Sequence, residues 1–345
     1  MTSVVIAAGG TAGHVVPAIA IADALRAEGA EVVFAGGERA EAQLVLAAGY
    51  ELQTLRVEGI SRSNPLKAVR AVFRAGAAIG TARRIVDGAD AVLGGGGYVA
   101  GPIGLAALTR RIPVVLTEAD SHLGLTNRLL APRARRVCLA FPIPGRDGDR
   151  YLVTGRPVPP TVDDRAAARA EFGIPPEATC VLIFGGSLGA RSINLAAIEA
   201  FADAGFHVLH VPGARDFAEL RAPGEHYHLR EYVSPFGQAL VAADLAVARA
   251  GGSVFELAQY GLPAILIPYP HASADHQTAN ARWMAEAGAA TILPDAELTP
   301  ARLRSEVDAL LGDPERLAGM AAASRRLARP DAAAVVAREV LAAAA

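Results

Sequence analysis

The sequence predicts an α/β protein of two domains, each built on a parallel sheet, and three observations lead there. Apolar β-type runs alternate with Ala/Leu/Arg stretches of helical spacing almost throughout, the pattern of βαβ units with helices on both sheet faces. One phrase is written twice, VVIAAGGTAGHVVPAIAIADAL from Val4 and CVLIFGGSLGARSINLAAIEAF from Cys180. Each copy is a strand-like run, a GG-[T/S]-x-G turn and an Ala-rich stretch. The length of 345 residues also exceeds the usual single-domain range. Two such units suggest similar domains facing each other across a cleft.

Taken in order, strands are expected at 4–8, 32–35, 91–93, 114–116, 137–140, 181–184, 207–211, 245–248 and 264–267. Helices are expected between them, among others at 17–28, 40–48, 68–86 and 253–260, the first opening on Pro17. Between Phe141 and Asp164 the chain becomes dense in Pro, Gly and charge, as an interdomain crossover should be. The boundary is placed near Gly155, giving domains 1–155 and 156–329. A helix over 330–345, opened by Asp331, returns to pack on the first domain.

Composition narrows the class. Hydrophobic content of 52% and a mean hydropathy of +0.29 supply two buried cores. A net charge of −2 argues against a general nucleic-acid binder, which needs a strongly basic face. Cys138 and Cys180 both lie in apolar β-like runs and read as buried free thiols in a reducing compartment. The chain enters its first strand directly, so no signal peptide is expected. The long uncharged stretch 91–109 is broken by GGGGY and Gly-Pro, which make it a strand, loop and helix rather than a membrane span.

Five motifs carry candidate chemistry. AGGTAGH (8–14) lacks the Gly-Lys-Ser/Thr end of a P-loop and is not a clean GxGxxG. It offers a tight turn, the Thr11 hydroxyl, and His14 at a helix start, where the dipole disfavours imidazolium and leaves a ring able to accept a proton. GGGGYVAGP (94–102) follows another strand and puts Tyr98 where it can stack or hydrogen-bond. GGSLGA (185–190) joins Ser187 to a helix N-terminus, which suits a phosphate or diphosphate. In RAGGSVFE (249–256) a Gly-Gly-Ser turn leads to Glu256 about one turn into a helix, where a carboxylate can chelate the vicinal hydroxyls of a ribose. DHQTAN (275–280) either reads sugar hydroxyls or caps its own helix. The histidines are otherwise scattered. His226 and His228 flank a loop tyrosine with no carboxylate at useful spacing, and no metal constellation appears.

Six segments in order, AGGTAGHVVPA (8–18), LGGGGYVAGP (93–102), GLTNRLLA (124–131), GGSLGARSIN (185–194), RAGGSVFELA (249–258) and PYPHASADHQTANA (268–281), resemble the MurG family of bacterial UDP-N-acetylglucosamine transferases. The resemblance implies a GT-B fold, two Rossmann-like domains separated by a deep cleft. It implies inverting transfer of N-acetylglucosamine from UDP-GlcNAc to the C4 hydroxyl of the N-acetylmuramic acid of lipid I, forming lipid II for peptidoglycan. The C-terminal half would bind the donor and the N-terminal half the lipid acceptor.

Residue by residue, the resemblance gives Ser187 and its loop to the diphosphate and Glu256 to the ribose. Val233 and the Gly251–Phe255 backbone, with Gly252 and Ser253, go near uracil, and Gln277 to the N-acetylglucosamine hydroxyls. Thr11, Ala12 and Gly13 would approach the sugar-diphosphate, with Tyr98, Glu118 and Asn127 on the acceptor side. His14 is the candidate base, with Glu118 the alternative or its orienting partner. The helix N-terminus at Ser187 would stabilise departing UDP without a protein-bound metal, although magnesium could accompany the diphosphate.

Several positions depart from the family pattern. Thr117-Glu118-Ala119-Asp120 replaces His-Glu-Gln-Asn, which puts the carboxylate of Asp120 near the sugar. Leu188 replaces a Gln and Ala12 a Gly. Pro159 stands where an Arg is usual, while Arg156 fills an Asn slot from which it could serve the diphosphate.

A polyprenyl acceptor implies a peripheral protein on the cytoplasmic face of the membrane. In residues 60–84, Ile60, Leu66, Val69, Val72 and Phe73 lie among Arg62, Lys67, Arg70 and Arg74, a pattern suited to anionic lipid. The alternatives are a GT-B transferase with another lipid or natural-product acceptor, a UDP-GlcNAc 2-epimerase-like isomerase, and a non-catalytic nucleotide-sugar sensor.

Overall fold

The computed structural model describes residues 1–9, 12–37, 40–57, 78–186, 189–272 and 275–345. They form two compact units, Met1–Pro159 with Arg329–Ala345, and Pro160–Ala328. Arg156, expected in the second domain, therefore belongs to the first.

The first unit holds a seven-stranded parallel sheet. Its strands are β1 (Ser3–Ala7), β2 (Glu31–Gly36), β3 (Glu51–Thr54), β4 (Ala91–Gly94), β5 (Val114–Glu118), β6 (Arg136–Leu139) and β7 (Tyr151–Val153). Their spatial order is β3-β2-β1-β4-β5-β6-β7. The second unit holds six parallel strands, β8 (Cys180–Phe184), β9 (His207–Val211), β10 (Tyr227–Leu229), β11 (Leu245–Ala248), β12 (Ala264–Leu266) and β13 (Ala290–Ile292), in the order β10-β9-β8-β11-β12-β13.

Central strands such as CVLIF (β8) and LAVA (β11) are buried along their whole length, because helices cover both faces of a parallel sheet. All nine strands expected from sequence are present. The four that were missed, β3, β7, β10 and β13, are the four sheet edges. Each is three or four residues long and partly exposed, so none carries a continuous apolar run.

Burial on the first sheet is two-sided. Val4, Ile6 and Leu93 pack on one face with Val15, Ile21 and Leu25 of the helix Ala12–Ala27. The C-terminal helix Ala332–Ala344 adds Val336 and Val340 to that face. Each such aliphatic side chain contributes about 1.5–3 kcal/mol when fully buried. Arg136 Nε, at the start of β6, also meets Glu339 Oε2 of this helix at 2.6 Å.

The helix Ala12–Ala27 starts before Pro17 rather than on it. Pro17 has no N–H for the carbonyl of Gly13 four residues earlier. The guanidinium of Arg156 donates to that carbonyl, which lets the extra turn persist. Helical residues 78–85 close the crossover before β4; the rest of the expected helix, 68–77, lies outside the described residues.

Both cysteines are free and buried, and burial pushes each thiol up to about 12.

Candidate functional site

In an open α/β sheet, ligands bind beyond the carboxyl ends of the strands where strand order reverses. That point lies between β1 and β4 in the first unit and between β8 and β11 in the second. The four glycine-rich motifs of the sequence follow these four strands.

In the first unit the two loops are locked together. Gly97 has φ +79°, and a Cβ there would fall 1.8 Å from the carbonyl oxygen of Gly9. A Cβ on Gly96 (φ +98°) would fall 2.7 Å from His14 Nδ1, so the glycine loop lies directly against the imidazole. Tyr98 is half-buried and packs on the core beneath the loop.

His14, Glu118 and Arg156 line one small cavity of about 20 Å³, room for roughly one water molecule, with Gly13, Gly95 and Thr117. The His14 pKa is lowered, first by burial, then by the Arg156 charge, against a smaller opposing effect of Asp120. Both lowering effects act in the same direction as the neutral ring expected from sequence.

Glu118 ends β5 and is 7% exposed. Its Oε2 accepts from Gly124 N at 2.8 Å and Asn127 Nδ2 at 2.9 Å, and its Oε1 accepts from Asp120 N at 3.2 Å. Burial raises its pKa, and these hydrogen bonds oppose that rise. Asn127 is buried too and also donates to Thr117 O at 2.9 Å. Glu118 and Asn127 thus brace the 118–127 loop and its helix Leu125–Leu130.

In the second unit, Gly189 (φ +73°) packs so closely on Pro212 that a Cβ would fall 1.9 Å from the Pro212 carbonyl oxygen. The helix Arg191–Ala200 follows. Arg249, at the end of β11, is 8% exposed and pinned on all sides. It meets Asp295 Oδ1 at 2.6 Å and donates to Ser192 Oγ at 2.8 Å and Ile267 O at 3.1 Å. It therefore ties the Gly-Gly-Ser turn to its neighbours.

Glu256 lies in the first turn of the helix Val254–Tyr260 and is half-buried; Ser253 holds the N-cap position without a side-chain capping bond. Gly252 is in the turn before it, and Val233 is buried after β10.

The DHQTAN segment opens the helix His276–Glu286. Gln277 Oε1 accepts from Tyr269 N at 2.9 Å. Asn280, 2% exposed, donates to Ala250 O at 2.9 Å and supports the turn before Glu256. Asp275 accepts from the Thr278 hydroxyl at 2.6 Å and caps no backbone N–H with its side chain.

Thr11 and Ser187 lie outside the described residues, as does the side chain of Ala12. Sequence reasoning assigned no task to Arg249 or Asn280, although both stand inside motifs it quoted. Among the described residues no group of three or more His, Cys, Asp or Glu is placed to hold a metal ion.

Two parallel-sheet α/β units with glycine turns at both switch points give a GT-B-type fold. The chain matches the glycosyltransferase family 28 N-terminal domain over residues 4–139 and the glycosyltransferase family 28 C-terminal domain over 180–336. It is 42% identical, over 97% of its length and 95% of the relative's, to a UDP-N-acetylglucosamine–N-acetylmuramyl-(pentapeptide) pyrophosphoryl-undecaprenol N-acetylglucosamine transferase of Salinibacter ruber. It is 44% identical to the enzyme of the same name from Acidithiobacillus ferrooxidans, over 97% and 96%.

A crystal structure of Acinetobacter baumannii MurG superposes with a TM-score of 0.79 at 30% identity, covering 99% of this chain and 100% of that one. A UDP-GlcNAc 2-epimerase from Neisseria meningitidis, at 15% identity and a TM-score of 0.67 over 99% and 100%, shares the fold. The chain belongs to the MurG family within glycosyltransferase family 28.

Proposed function

We propose that this protein transfers N-acetylglucosamine from UDP-N-acetylglucosamine to the C4 hydroxyl of the N-acetylmuramic acid of a polyprenyl-diphosphate-linked acceptor, converting lipid I to lipid II. The observation that carries the chemistry is the shared cavity of His14, Glu118 and Arg156 at the β1/β4 switch point, where burial and the Arg156 charge lower the His14 pKa. Identity of 42–44% over nearly the whole chain to relatives named for this transfer supports the substrates.

In the proposed reaction His14 takes the proton of the acceptor hydroxyl as its oxygen attacks the anomeric carbon. The bond from that carbon to the diphosphate oxygen breaks, UDP departs with the electron pair, and attack from the opposite face inverts the configuration. Glu118 acts as the brace of the acceptor-side loop with Asn127, since its oxygens are occupied by that loop's own donors. Tyr98, on the glycine loop, serves the acceptor side with them.

The donor set is Glu256 for the ribose, Ser187 and its loop for the diphosphate, Gln277 for the sugar, and Val233, Gly252 and Ser253 near the base. Gly13, Thr11, Ala12, Asp120 and Arg156 serve the sugar-diphosphate from the first unit. The partial positive charge of the helix N-terminus at Arg191 favours the leaving diphosphate.

The protein acts as a peripheral protein at an anionic membrane surface on the cytoplasmic side. No described helix is long and apolar enough to cross a membrane. At the amino ends of β5, β6 and β7, opposite His14 on the same sheet, Arg111, Arg133, Arg135, Arg136 and Arg150 outnumber Asp149 and Glu339, the latter paired with Arg136, in lining a pocket of about 820 Å³. Such a charge cluster suits lipid phosphates. Residues 58–77, the greater part of the apolar and basic segment expected to touch lipid, lie outside the described residues.

The direct test is UDP release measured with and without a lipid I analogue. Release that requires acceptor supports transfer. Isomerised sugar without acceptor would support an epimerase, and binding without turnover a sensor.

A further inference from the structure

Behind the loop at 185–190 lies a polar network that nothing in the transfer chemistry uses. His210 on β9 is fully buried; Asn194 is 0%, Asp216 2% and Tyr227 3% exposed. Tyr227, expected in a loop, is the first residue of the edge strand β10, which aims its hydroxyl inward at His210 Nδ1, 2.8 Å away. His210 Nε2 lies 3.0 Å from Asn194 Oδ1. Asn194 Nδ2 donates to Asp216 Oδ2 at 2.8 Å and to the Pro212 carbonyl at 3.1 Å. Asp216 is held in turn by Arg215, at 3.0 Å, and by Arg191.

These partners assign every proton. The Asn194 amide nitrogen is committed to two acceptors, so its oxygen faces His210, and Nε2–H must donate to it. His210 Nδ1 is then the acceptor, and the Tyr227 hydroxyl donates. Burial lowers the His210 pKa to about 3, so the ring stays neutral and this tautomer persists. The relay ends on the Pro212 carbonyl, the group against which Gly189 is packed with no space for a side chain.

We infer that His210, with Tyr227 and Asn194, is a positioning residue for donor binding, holding Pro212 and through it the backbone at Gly189 ahead of the helix Arg191–Ala200. The inference rests on the reading that the turn at Gly189 receives the donor diphosphate. Its ligand is thus a nucleoside diphosphate, and its effect should appear in donor affinity rather than in the chemical step.

Full-length variants test it, with UDP binding measured by calorimetry and with steady-state kinetics. His210→Leu keeps the volume but leaves two buried groups unpaired, Asn194 Oδ1 without its donor and the Tyr227 hydroxyl without its acceptor. It should weaken UDP binding and raise the donor KM by about 10-fold or more, with kcat and acceptor KM little changed. His210→Gln, which can still donate to Asn194, should recover most of the loss. Tyr227→Phe removes a single oxygen and should give a smaller change in the same direction, and it decides the matter if the Leu variant does not fold. Gly189→Ala tests the underlying reading, because it disturbs the turn directly. If Gly189→Ala weakens UDP binding while the His210 and Tyr227 variants do not, or if Leu and Gln at 210 behave alike, the inference is wrong and the reading survives. If Gly189→Ala also leaves UDP binding intact, the reading itself fails.

Discussion

Arg156 donates to the carbonyl of Gly13, the main-chain acceptor that Pro17, four residues on, cannot reach. One guanidinium thereby completes the first turn of the helix carrying His14 and sets a positive charge near its imidazole. The charge opposes protonation, so the ring remains a base at lower pH than an ordinary histidine. Replacing Arg156 with Met should raise the His14 pKa and move the acidic limb of the kcat profile to higher pH. A limb that stays in place would detach Arg156 from His14.

His14→Ala should lower kcat by about 10²–10⁴, the usual range for losing a general base, while UDP binding is retained. Steady-state rates and calorimetry on the same preparation separate the two. Equal loss of both would remove His14 from the proton transfer.

Glu118 accepts hydrogen bonds on both carboxylate oxygens. Glu118→Gln must turn an N–H₂ toward at least one of those donors. It should destabilise the protein by about 1–3 kcal/mol in denaturant unfolding, the cost of an unsatisfied buried group. Full stability combined with a large fall in kcat would instead make Glu118 the base.

Glu256→Ala should chiefly weaken UDP affinity and raise the donor KM, because a ribose contact is made equally in ground and transition states. Unchanged nucleotide affinity would refute the ribose role.

His210 gives a pH prediction. Its folded pKa of about 3 lies below its ordinary value of 6.5, so the unfolded chain binds the extra proton between the two. Stability from this group is complete above 6.5 and is lost as pH falls toward 3. Relative to His210→Gln, the unmodified protein should lose up to about 1.4 kcal/mol of additional stability per pH unit in that window. Parallel stability curves for the two proteins would contradict it.

The interior of both sheets was legible because buried parallel strands are continuous apolar runs. Their four edges, β3, β7, β10 and β13, were not, since a short strand with a partly exposed surface leaves little pattern. The helix start at Ala12 was hidden for a related reason. Pro17 reads locally as a first-turn residue, and only Arg156, far away in sequence, makes the earlier turn stable. The glycine-rich motifs follow β1, β4, β8 and β11, the strands that flank the two switch points. The burial and the Arg156 charge that lower the His14 pKa were not legible, because they are tertiary facts. Arg249, Asn280 and Tyr227 were missed as supports, since nothing local to their segments reveals which carbonyl or ring they will meet.

The central claim is that the β8/β11 switch point receives the nucleotide while His14 supplies the base from the first unit. A crystal structure with UDP bound tests it most directly. The account predicts the diphosphate on the turn beyond β8 and the ribose hydroxyls on the Glu256 carboxylate. Uridine bound away from the carboxyl ends of β8 and β11, with Glu256 untouched, would contradict it.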